Sequence, residues 1–221
     1  MTRRRLGALT LIPAVALVAV LAGALATAPS HADAHGATAT RTAFHDAMRV
    51  LWEDHIVWTR QFIVSAATEA ENLPDTAPTV DRLLANQTDI GNAIKPFYGE
   101  AAGDALTELL REHILTAADI IAAAKAGDAD AVAAASKAWY ANADEIATFL
   151  SEANPKHWPL EEMKAHMKSH LDLTLEEAVA RLEGRYADDI AAYDKVHVDI
   201  LEMADMLSAG IIAQFPRKFA R

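Results

Sequence analysis

The 221-residue chain contains no cysteine. Neither a disulfide nor thiolate chemistry is therefore open to it, and the fold must be held by an ordinary packed core. It also lacks any stretch with the period-2 alternation of a half-buried strand, which argues against sheet-containing classes. The signatures of common catalytic chemistries are missing. HExxH does not occur, because Asp54 and Glu112 precede His55 and His113 instead of following them. No glutamate stands three residues before a histidine, as the di-iron sites of ferritin-like bundles require, and Asp194 before His197 is the nearest approach. The haem-attachment motif, Gly-rich phosphate loops and the nucleophile elbow are absent too. No residue nominates itself as nucleophile or general base. Positive charge is short: 20 Lys and Arg face 31 Asp and Glu, for a net charge of −11. Such a surface repels phosphate backbones and anionic headgroups, so nucleic acid and anionic membrane surfaces are not expected partners.

The amino-terminal segment reads as an export signal. Arg3, Arg4 and Arg5 form a positive region, Leu6 to Ala26 an apolar one, and small residues follow with cleavage choices after Ala28, Ala32 or Ala34. The apolar run is long enough to span a bilayer, so an uncleaved anchor is the competing reading. We expect a signal peptide over residues 1–32 and secretion, without a lipoprotein anchor because no cysteine follows. Removing residues 1–32 takes away three arginines and no acid, which lowers the net charge from −11 to −14. About 185 mature residues suffice for one domain with its own core.

What the mature chain does have is helical periodicity, running from about Thr40 to Ala213. The spacing predicts helices over 40–72, 78–95, 100–126, 129–152, 159–183 and 186–213, after a flexible tail at 33–39. The domain spans 40–216 and a basic tail occupies 217–221. Pro96 is expected to end the second helix, Gly127 and Gly184 the third and fifth, and Pro159 to occupy the first turn of the fifth. A degenerate repeat of about 57 residues runs through these helices. His55, His113 and His170 are its fixed points, and a glycine follows fourteen residues after each of the last two. Ala85-Asn86 and Asp89-Ile90 echo Ala141-Asn142 and Glu145-Ile146 in the return helices. The expected fold is all-α, an up-down antiparallel bundle of six helices arranged as three α-hairpins.

At ~100° per residue, four histidines fall on apolar helix faces. His55 lies amid Met48, Trp52, Thr59 and Phe62, and His113 amid Leu106, Leu110, Ala117 and Ile120. His170 shares its stripe with Met163, Met167 and Thr174, and His197 shares one with Ile190, Tyr193 and Leu201. Burying several imidazoles costs desolvation at each, and bundle interiors are where metal and cofactor sites are built. The expectation is a transition-metal site built from His55, His113, His170 and His197, with Asp194 beside the last. Buried histidines also serve as plain core residues whose ring nitrogens are satisfied locally; Thr59, Thr174 and Asp194 are placed to do that.

Helix five adds Met163, His166, Met167 and His170, whose spacings of three and four put two thioethers and two imidazoles on one face. Histidines at i and i+4 can chelate one ion, and thioether sulfur tilts the preference to copper over zinc. A conditional second site depends on cleavage after Ala32. The new amino terminus Asp33-Ala34-His35 would offer a square-planar nitrogen set for Cu(II) or Ni(II). Haem held by two inward histidines, or by His170 with a methionine, is the alternative cofactor. A non-catalytic module for a protein or cell-wall partner is the alternative role. Its surface would be Trp158 in the Pro155–Pro159 loop and the basic Arg217-Lys218-Phe219.

Leu51–Arg60 (LWEDHIVWTR), Asn92–Tyr98 (NAIKPFY), Trp139–Asp144 (WYANAD) and Ala204-Asp205-Met206 resemble an uncharacterised family of exported, all-helical proteins of Gram-positive bacteria. The resemblance covers nearly all of the mature chain and implies the same fold class and export. Labels such as glycosyltransferase or acetylglutamate kinase are sometimes attached to similar sequences. They find no support in these residues, which carry neither a nucleotide-sugar motif nor an α/β pattern.

Overall fold

The computed structural model describes residues 31–67 and 72–220, with side chains from Thr40 onward. The export-signal reading, the tail at 33–39 and the Asp33-Ala34-His35 set lie outside the residues whose side chains are described. Six α-helices follow one another: α1 (His31–Ala66), α2 (Thr76–Tyr98), α3 (Glu100–Ala126), α4 (Ala129–Ala153), α5 (Leu160–Leu182) and α6 (Tyr186–Gln214). Each packs on the next in an up-down bundle, and α6 returns to α1, so the six close into a ring. The odd-numbered helices run parallel to one another, and α1 also touches both α3 and α5. Among the described residues no helix is long and apolar enough to cross a membrane.

Sequence punctuation explains most of the boundaries. α3 and α5 end on the same structure. Gly127 and Gly184 take left-handed φ values of 69° and 71°. Gly127 N–H donates to Ala124 O and Asp128 N–H to Ala123 O, while Gly184 N–H donates to Arg181 O and Arg185 N–H to Ala180 O. These paired bonds satisfy the last carbonyls of a helix, and only glycine reaches that φ without strain. Asp128 then caps α4, its carboxylate accepting from Ala131 N–H at 3.0 Å.

Four boundaries differ from expectation. α1 starts at His31, so the segment 33–39, expected as a flexible tail, is helical. α1 ends at Ala66, short of residue 72. Pro96 does not end α2, which continues to Tyr98, where Gly99 N–H donates to Lys95 O. A proline near a helix end removes just one ladder bond, so a last turn survives it. Pro159 is the N-cap of α5, with extended ψ of 137°, instead of part of its first turn.

The main core joins Met48, Trp52, Ile90, Leu106, Leu110, Trp139, Ile146, Met163, Met167, Ile200 and Met203 across all six helices. An aromatic group closes one end. Phe97 stacks on Phe219 at 5.5 Å, Phe44 meets Phe219 at 5.3 Å, and Tyr98 meets Trp158 at 6.1 Å. Here the structure removes Trp158 from the surface expected to bind a partner, while Arg217 and Lys218 of the basic tail stay exposed. Trp158 is 1% exposed, and its indole packs so closely on Gly210 that a Cβ there would collide with it. The basic tail folds into a 3-10 turn, Pro216–Phe219, with Phe219 buried. Lys218 Nζ donates to Pro96 O at 2.6 Å and lies over the Phe97 ring.

Candidate metal centre

The repeat brings His55, His113 and His170 to one layer. They sit on α1, α3 and α5, and all three are buried, at 3%, 3% and 5% exposure. The His55 and His170 ring centroids are 5.8 Å apart. Trp52 meets His55 edge-on at 5.8 Å, and Trp139 stacks on His113 at 5.2 Å. Burial holds the His113 imidazole down at about 3, helped by the nearby His170 ring and opposed by its bond to Asn142. Burial likewise pushes His55 well below its usual value, with His170 and then His113 adding to the effect against Gln87. His55 and His113 are thus kept neutral, the form in which imidazole binds a metal.

A polar residue on each return helix accompanies each histidine. Asn142 Nδ2 donates to Leu109 O at 3.1 Å, which leaves its Oδ1 facing His113 Nδ1 at 3.0 Å. An amide oxygen only accepts, so His113 Nδ1 must carry the proton and Nε2 the lone pair. Asn86 makes the equivalent bond in the first repeat, Nδ2 to Leu51 O at 3.0 Å. Its Oδ1 accepts from Gln87 Nε2 at 3.1 Å instead of from His55. In the third repeat the position belongs to Asp199, whose Oδ2 stands 3.7 Å from His170 Nδ1 while Oδ1 accepts from Ser169 Oγ at 2.9 Å. Outer partners of this kind fix the tautomer and orientation of a ligating imidazole. Sequence reading paired Asn86 with Asn142 but missed Asp199. The signal was there, since His113 to Asn142 and His170 to Asp199 are both intervals of 29 residues.

The remaining expected ligands separate. His197 does not look inward. Its side chain is 40% exposed and its Nε2 meets Glu53 Oε1 at 3.1 Å on the outer surface. Its presumed stripe is the wrong one, since Ile190 is 56% exposed while Ala192, Val196 and Ile200 are buried. α6 carries apolar residues on more than one face, and Val198, at 57% exposure, shows that the outer face is one of them. Asp194 is exposed with it. In the helix-five tandem, Met163 and Met167 are buried in the main core at 1% and 6%, but His166 is half-exposed. Thr59 and Thr174 do not satisfy the rings: their hydroxyls donate to the backbone carbonyls of His55 and His170, at 2.7 and 2.8 Å.

A metal ion can be weighed against this layer. Two imidazoles bound to one ion at ~2.0–2.1 Å hold their ring centroids about 5.2 Å apart in a tetrahedral arrangement and about 6.4 Å apart in a linear one. The His55–His170 separation of 5.8 Å lies between those limits. Among the described residues, no three His, Cys, Asp or Glu side chains stand as a ready-made ligand group. The near pair is therefore the unit, with His113 turned onto Trp139 and Asn142. Seven buried side-chain polar atoms among the described residues have no hydrogen-bond partner. Six of them line this layer: Trp52 Nε1, His55 Nδ1, Gln87 Oε1, Trp139 Nε1, His170 Nδ1 and Asp199 Oδ2. Native interiors rarely leave such groups unpaired. Here His170 Nδ1 and Asp199 Oδ2 face each other at 3.7 Å and Gln87 acts on His55, so an ordered water, an ion or a small shift of these side chains would satisfy them. Haem fits poorly. Cofactor pockets run to roughly 300–1,000 Å³, whereas the cavity bordering this layer measures about 30 Å³.

No protein-family model, no curated protein and no solved structure matches the chain.

Proposed function

We propose that this is an exported helical-bundle protein that binds a transition metal, copper in preference to zinc, between α1 and α5 at the histidine layer. His55 and His170 are the primary ligands. His113 is the third, reached by a turn of its ring away from Trp139 that leaves its Nε2 lone pair free to coordinate. The observation that carries the reading is the concentration of unpartnered buried polar atoms around three buried imidazoles, of which burial keeps His55 and His113 neutral.

Charge and coordination number support copper. Cu(I) carries a single charge and accepts two or three imidazoles, so the cost of burying it among neutral ligands is modest. Zinc brings two charges and takes four ligands, and Asp199 is the carboxylate beside this layer. Met167, one turn from His170 and buried, is the nearest candidate in sequence for a soft fourth contact.

Elemental analysis of protein collected from an exporting host tests the reading. It predicts about one copper per chain, lost in His170→Leu and in His55→Leu and retained in His197→Leu. Metal-free protein that also fails to take up copper or zinc would leave the buried histidines as core residues and the reading would fall.

A further inference from the structure

The lumen of the helix ring continues past the imidazole layer. One helical turn beyond it lies a cavity of about 30 Å³. Thr59, Ala117 and Thr174 border it, each four residues after one of the three layer histidines. Small side chains at all three repeat-related positions leave the space open. The wall is otherwise apolar, with Phe62, Ile120 and Ala178 among its members. Both threonine hydroxyls are already committed to their own helices, at 2.7 and 2.8 Å. Water needs two to four polar partners and finds none here. By volume, one water-sized guest requires about 10–15 Å³. The cavity offers about 30 Å³, enough for a molecule of two heavy atoms.

We propose that this cavity is a binding site for a small neutral, apolar molecule of diatomic size, such as dioxygen. The guest is held by dispersion contacts with a wall that gives water no polar partner, entering past the half-buried Thr59, Ala117 and Leu175. Trp139 belongs to both structures, stacking on His113 and lining the cavity, so the guest lies one indole away from the imidazole layer. The site goes beyond the metal reading and does not depend on it, since no ion takes part in its wall.

Xenon is a suitable probe, used under pressure on metal-free protein carrying labelled methyl groups and followed by NMR. The expected result is a saturable shift confined to the methyls of Ile63, Ile120, Ile121 and Ala178. It should be lost in Ala178→Leu, which fills the space, and in Ala117→Val, a smaller filling change in case the first variant unfolds. Shifts that rise linearly and spread over surface methyls would overturn the proposal. So would saturable shifts that persist in a folded filled variant, or cross-relaxation between the cavity methyls and a resident water. Copper uptake is a separate readout, so failure of the metal reading and failure of this one are distinguishable.

Discussion

At the scale of the residue, the cost of burying an imidazole governs the histidine layer. His113 is held at about 3 and His55 is also depressed, both chiefly by burial. The folded state therefore binds fewer protons near these rings than the unfolded chain, whose histidines titrate near ~6.5. Their contribution is fully present above that value and is lost as the pH falls below it. For His113 the loss reaches about 2 kcal/mol at pH 5. Glu177 works in the opposite direction. Burial raises it to about 7 against the pull of Arg60, so it favours the fold as the pH drops from there towards the ordinary carboxylate range. Urea denaturation between pH 7 and 5 should show stability falling more steeply in Glu177→Gln than in the parent, and less steeply in His113→Leu. Equal slopes in all three would contradict the assignment. Asn142 belongs to the same scale. Replacing it by alanine unpairs the His113 Nδ1 proton and removes the second bond that the helical Leu109 carbonyl accepts. We expect a loss of about 1–3 kcal/mol in chemical denaturation, together with weaker metal binding by a factor of about 10 or more.

At the scale of the element, the helices were legible because apolar periodicity and glycine punctuation agree, as at Gly127 and Gly184. Orientation was legible only where one face is plainly apolar. α1, α3 and α5 meet that condition, and their histidines point inward. α6 does not: Ile190 and Val198 lie on its outer face, and counting Ile190 in the stripe of His197 turned that histidine inward. The same helix contributes a buried ion group that no local pattern announced. Arg60 of α1 hydrogen-bonds Asp189 and, at 2.8 Å, Glu177, while its guanidinium lies over the Tyr193 ring. Asp189 is 0% exposed and Glu177 1% exposed. Residue 60 is 117 and 129 positions from residues 177 and 189, and only the packing of α1 against α5 and α6 joins them. Asp189→Asn leaves the partly buried Arg60 guanidinium with Glu177 alone and takes a partner from Arg181, and should cost about 1–3 kcal/mol. Thermal melting that shows a change of less than 1 kcal/mol would mean that the group is solvated.

At the scale of the whole molecule, the repeat decides where chemistry is available. Three successive α-hairpins put α1, α3 and α5 parallel in a closed ring, so residues at one register share one height. Interval alone could not establish this, because height also depends on helix tilt and on which neighbours touch. Trp158 shows the same limit. A loop tryptophan reads as a surface feature until α6 supplies Gly210 to receive it. The ring also separates the histidines: those of the layer are buried inside it, while His197 and His166 stay at its outer surface or edge. The most direct test of the central claim is a Cu(I) competition titration of the metal-free protein against a chelator of known affinity. The account predicts one tight site per chain, abolished by His55→Leu or His170→Leu, weakened by His113→Leu and unchanged by His197→Leu. Equal copper affinity in the parent and in folded His55→Leu and His170→Leu variants would contradict it.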